Sequence, residues 1–153
     1  MVLLAVAGAV ALLLRSTSSD GAQPPVPVSH VDTATRACLL TSTDSDATGT
    51  WAAMREMAGT HGSNVVVQRY RLPARADPVA YVNTLVQLRC AMVVTTGTAA
   101  RFAVAARLAA GQVAHVRFVV VADQPVSGAT RLSPDTVSAP TLARAVSRSG
   151  STP

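Results

Sequence analysis

Lysine and isoleucine are missing from this chain, so all 13 of its basic residues are arginine. Both absent residues use AT-rich codons, and the pattern reads first as GC-rich coding rather than as a surface built for one partner. The net charge of +5 would otherwise raise nucleic acid or anionic lipid. The arginines are scattered, from Arg36 through Arg69, Arg71 and Arg75 to Arg117 and Arg148. They lack the aromatic interleaving of a single-strand-binding surface. A solvated arginine surface is expected, and no nucleic-acid partner.

Aromatic residues are equally scarce, at 3% against 49% apolar residues. A core must then come from Val, Leu and Ala, which suits helices packed on a sheet better than an aromatic-rich β-sandwich. The length of 153 residues suits one domain. GxSxG, P-loop, HExxH and GxGxxG patterns are all lacking. A receiver-type phosphoacceptor is excluded as well, because the third strand ends in Thr95-Thr96 rather than Asp and no Lys is present. His30, His61 and His115 lie far apart, and with two cysteines they have no metal-ligand spacing. Neither enzymatic chemistry nor a cofactor nor a metal is expected.

What is present begins with an apolar run from Met1 to Leu14, followed by Arg15 and a polar stretch. At this length it fits the apolar part of a signal peptide or anchor (1–22) better than a spanning helix of ~20 residues. No Cys follows it for lipid attachment. The run QPPVPVSHVDTATR (23–36) has three prolines and no amphipathic period, as an extended tether would. These segments predict a secreted or membrane-anchored protein on the extracytoplasmic side, touching the membrane through its N-terminal segment.

Strands and helices then alternate over 37–148, with a frayed tail at 149–153. Expected strands are 37–41, 64–70, 91–95 and 115–122, with a short fifth at 136–139. Expected helices carry Trp51, Met54 and Ala58 on one face, then Val79, Val82 and Val86 behind an Asp77-Pro78 cap, then Phe102 and Ala106 between Gly97-Thr98 and Gly111, and lastly 140–147. Continuous apolar runs such as AMVVT and FVVVA mark strands buried on both faces. The fold class is therefore α/β: a three-layer α-β-α with an open parallel sheet in the flavodoxin-like order 2-1-3-4.

In such a sheet, ligands sit beyond the carboxyl ends of the strands, where strand order reverses. This places the candidate ligand-binding residues at Asp44, Asp46 and Thr48 after the first strand, Thr96 and Gly97 after the third, and Asp123 after the fourth. The same residues also suit helix caps and loop polars. Neighbouring first and third strands would bring Cys38 and Cys90 within disulfide reach, since parallel neighbours lie ~4.8 Å apart. Two independent buried thiols are the alternative.

The segments ACLLTSTD at the first strand, PVAYVNTLVQLRCAMVVTTG over 78–97 and FVVVADQ over 118–124, with Trp51 in the first helix, resemble the N-terminal lobe of the basic membrane protein (BMP) family. These are type 1 periplasmic solute-binding lipoproteins of ABC transporters. Gly97 and Asp123 fall where that family has a Gly after its third strand and an Asp closing its fourth. The resemblance implies a nucleoside or related small polar solute as ligand, and an ABC permease, a second lobe or a homodimer mate as partner. The family's first loop grips its ligand with an Asp followed by an aromatic-Asn pair, whereas TSTDSDATGT here supplies Asp44 and Asp46 but neither aromatic nor Asn. A structural or protein-interaction module without a small ligand is the other reading.

Overall fold

A computed structural model describes residues 34–147 except Gln112. The expected signal or anchor, the tether up to residue 33 and the tail from 149 lie outside the described residues. The strands β1 (Thr35–Thr41), β2 (Val65–Arg71), β3 (Met92–Thr96), β4 (Arg117–Val121) and β5 (Thr130–Leu132) form a five-stranded sheet in the order β2-β1-β3-β4-β5. Every pairing is parallel. The α/β class and the 2-1-3-4 order hold, extended by a fifth strand on the β4 edge.

Strand alternation sorts the core into two layers. Ala37, Leu39, Met92, Val94, Val119 and Val121 point to one face, where they meet Met54 and Met57 of α1 (Thr48–Gly59) and Leu142 of α4 (Ala139–Ser147). Cys38, Leu40, Val93, Phe118 and Val120 point to the other, against Val82 and Leu85 of α2 (Pro78–Gln87) and Ala100, Ala103 and Val104 of α3 (Thr98–Ala109). Alanines on α3 let that helix come close to the sheet, so small residues do here what aromatics do in thicker cores. Helices on both faces explain why all five residues of β3 are buried, whereas at the sheet edge every residue of β2 is half-buried or exposed.

Cys38 and Cys90 form a disulfide with a Cα–Cα separation of 5.9 Å, both fully buried. It ties the turn that follows α2 to the middle of β1.

Several boundaries differ from expectation for local reasons. β1 begins at Thr35, because the Thr35 amide reaches the Asn64 carbonyl (2.7 Å) and extends the ladder. His115 sits in a turn with φ 68° rather than in β4. On α1 the buried stripe is Thr50, Ala53, Met54 and Met57, with Trp51 only packed at its margin. Phe102 is 61% exposed, since α3 turns its alanines to the sheet instead. The last strand is Thr130–Leu132 and not 136–139; Thr136 belongs to a 3-10 turn, Pro134–Thr136, where proline favours a tight bend over a ladder. Among the described residues, no helix is long and apolar enough to cross a membrane.

Candidate functional site: the carboxyl edge of the sheet

Strand order reverses between β1 and β3, so the crevice expected to receive a ligand opens where these two strands end. The chain itself spans that crevice. Leaving β1, the Ser42 amide donates to the Thr96 carbonyl (3.0 Å), and Ser42 Oγ accepts from the Ala100 amide (2.9 Å). Asp44 Oδ2 accepts from the Thr98 amide at 3.2 Å. Two of the amides left over at the start of α3 are thus satisfied by the β1–α1 loop.

Gly97 permits this approach. Its φ of +88° and ψ of 164° belong to a region essentially limited to glycine. A Cβ there would lie 2.7 Å from both Asp44 Oδ1 and Ser42 Cβ, and 2.9 Å from Ser45 Cβ. The loop then turns to its own helix, where Asp46 Oδ1 accepts from the Thr48 amide at 2.9 Å. Both carboxyls are held below their ordinary value of 3.8: Asp44 by hydrogen bonds from the Thr98 hydroxyl and amide, Asp46 by those of Thr48 and then by the charge of Arg69.

Open hollows remain on either side of this closed centre. Toward β4, a hollow of about 240 Å³ is lined by Gly97, Thr98, Arg101, Asp123 and Gln124 among others. Arg101 Nη1 donates to Gln124 Oε1 (2.6 Å), and the Asp123 carbonyl accepts from Arg131 Nη1 (2.6 Å), leaving the exposed Asp123 carboxylate facing solvent. Toward β2, a hollow of about 190 Å³ is lined by Thr41, Ser42, Thr43, Ser45, Arg69 and Arg71. Its floor is unusual: Thr41 is 3% exposed and its Oγ1 has no hydrogen-bond partner. Thr96, paired with Thr41 in register, and Thr95 on the opposite face carry buried, unpartnered hydroxyls too.

The six expected ligand residues are therefore distributed rather than gathered. Asp44 and Gly97 touch each other in the closed centre. Gly97 also shares the β4-side hollow with Asp123. Asp46 accepts from the amide of Thr48, the first residue of α1, and Thr96 is buried in the sheet. Sequence reasoning passed over Arg69 and Arg71 as scattered surface arginines. Their i, i+2 spacing on β2 puts both on one face, in register with Leu39 and Thr41; that alternation was the available signal. Among the described residues, no group of three or more His, Cys, Asp or Glu is placed to hold a metal ion.

Apart from this edge, Phe102 lies on a groove of about 470 Å³ with Ala105, Leu108, Pro125 and Val126, and the Arg101 guanidinium lies 4.8 Å from its ring centre. Comparison with known proteins returns no matching family model, no matching curated protein and no matching solved structure.

Proposed function

We propose that this chain is a non-enzymatic, extracytoplasmic binding lobe of the BMP type, serving a transporter by presenting the carboxyl edge of its sheet to a small polar solute. The observation that carries the proposal is the order β2-β1-β3-β4-β5 with polar hollows flanking its switch point, because open parallel sheets bind their ligands at that edge. The buried Cys38–Cys90 disulfide is in keeping with an oxidising compartment. The apolar run at 1–14 followed by prolines supports export. A single lobe wets half of any solute it holds, so a permease, a second lobe or another copy of the chain would supply the opposite wall. Without an aromatic in the 42–50 loop, base stacking is not available, and affinity for a nucleoside should be weak.

A second reading, a protein-interaction module, draws on the exposed Phe102 and its groove. Calorimetry on the full chain with nucleosides and other small polar solutes, together with labelling of intact cells by a membrane-impermeant arginine-directed reagent, separates the two, since the chain has arginines but no lysine. Saturable solute binding by a surface-labelled protein supports the binding lobe. A surface-labelled protein that binds none of the solutes, and whose contact with another protein is lost in Phe102→Ala, favours the alternative; a cytoplasmic protein overturns the binding lobe.

A further inference from the structure

We propose that the hollow between the carboxyl ends of β1 and β2 binds the oxyanion group of a small ligand, a phosphoryl or a carboxylate, through the guanidiniums of Arg69 and Arg71 and the hydroxyl of Thr41. This gives a chemical class to the solute of the binding-lobe reading and rests on that reading for its biological sense. Four observations converge on it.

The first is placement: Leu39 pairs with Arg69 and Thr41 with Arg71, and residues paired in a parallel ladder point to the same face, so both arginines and Thr41 share one side of the sheet at its carboxyl edge. The second is charge. Asp46, the carboxylate whose charge interacts with Arg69, is already engaged by the Thr48 amide, and Asp44 is turned toward α3. Arg71 is exposed at the end of β2. The hollow is left cationic, and guanidinium forks match the geometry of phosphate and carboxylate oxygens.

The third observation is the floor. A buried hydroxyl without a partner is uncommon, because desolvating it without a hydrogen bond is unfavourable. Thr41 Oγ1 is such a group and its residue lines this hollow; a turn about its Cα–Cβ bond would offer that proton to an oxyanion lying against the floor. The fourth is shape. At about 190 Å³ the space takes an oxyanion group with a few waters but not a whole nucleoside, so the remainder of the ligand would extend outward past Ser45.

The test uses the full chain, with ionic strength held constant by sodium chloride. Inorganic phosphate and acetate are titrated separately, following amide and arginine side-chain resonances by NMR. Saturable shifts at Thr41, Arg69 and Arg71 are expected with at least one of the two anions, and which one saturates assigns the phosphoryl or the carboxylate class. In R69Q/R71Q the apparent affinity should fall by at least about tenfold, and in T41V by about threefold. Arg75→Gln, in an exposed loop outside the hollow, should leave it unchanged. Equal, non-saturating responses to phosphate, acetate and chloride would overturn the proposal, as would undiminished binding in R69Q/R71Q. Neither result depends on where the protein resides, so a cytoplasmic location would sink the binding-lobe reading while leaving these titrations to decide the anion site separately.

Discussion

The centre of the carboxyl edge and its β2-side flank are built in opposite ways. At the centre the two loop side chains that reach α3 are both satisfied: Ser42 and Asp44 accept from the amides at its start, and Gly97 removes the one side chain that would keep them away. On the flank a buried Thr41 hydroxyl has no partner and Arg71 is exposed. Polar groups that satisfy one another hold a fold in place; polar groups that do not are where a ligand can gain. The contrast teaches that the crevice at a sheet's switch point can be spanned by the protein's own loop while unsatisfied polar groups stay on its shoulder. It also ranks the effects of substitution: large and destabilising in the centre, small or of opposite sign on the flank.

The largest effect should come from the bond that anchors the central strands. The cysteines are 52 residues apart, and cross-linking a loop of that length stabilises by about 4 kcal/mol in the chain-entropy account. Replacing both by Ala or Ser, or reducing the bond, should lower the denaturant midpoint by a corresponding amount, and Ellman titration of the unreduced, denatured chain should find no free thiol. Two reactive thiols would remove the anchor from the comparison.

Gly97→Ala should follow. The positive φ alone costs ~1–3 kcal/mol for a residue with a side chain, and the added methyl must displace Asp44, Ser42 and Ser45, which lie within 2.9 Å of it. A loss of about 3 kcal/mol is expected, read by urea unfolding, with exchange protection lost first at the amides of Thr98 and Ala100. An innocuous Gly97→Ala would mean that the centre is looser than its distances imply.

Ser42→Ala leaves the buried Ala100 amide without its acceptor, at a cost of about 1–3 kcal/mol. Asp44 adds a smaller, pH-dependent contribution. Its folded pKa lies below 3.8, so its contribution is complete above that value and is lost as pH falls through the folded pKa. Thermal melts from about pH 5 down to about pH 2.5 should therefore decline more steeply for wild type than for Asp44→Asn. The exposure of Asp44 and its screening by salt keep the difference modest. Identical acid limbs would show that the carboxylate does not hold the loop.

Much of the fold was legible because burial on both faces leaves a direct trace. MVVTT in β3 and FVVV in β4 are apolar runs that only a covered parallel sheet accommodates, and Asp77-Pro78 announced α2 by its capping chemistry, with Asp77 Oδ1 accepting from the Val79 amide at 2.9 Å. β5 was misplaced because its TRL sequence carries no such run; it pairs over three residues at the edge, and its position depends on β4 rather than on its own composition. The helix holding Phe102 was legible but its buried face was not: α3 turns Ala100, Ala103 and Val104 to the sheet and leaves Phe102 exposed. The candidate site was half legible: topology pointed to the carboxyl edge, but whether Asp44 faces a ligand or the start of α3 depends on a contact between residues 54 apart in sequence.

Thr41→Val carries the smallest expected change and the one with the opposite sign. Valine copies the shape of threonine and deletes only the hydroxyl. In the centre the comparable deletion, Ser42→Ala, strands a buried amide. On the flank Thr41 Oγ1 has no partner to strand, and removing an unsatisfied buried polar group relieves its desolvation. The ligand-free T41V protein should therefore be as stable as wild type or more stable, by up to about 1 kcal/mol, while its response to phosphate or acetate weakens. Measuring both quantities on one variant separates structure from binding. A T41V protein less stable than wild type would place Thr41 among the self-satisfied groups of the centre, and the distinction between a sealed middle and a receptive shoulder would lose its main support.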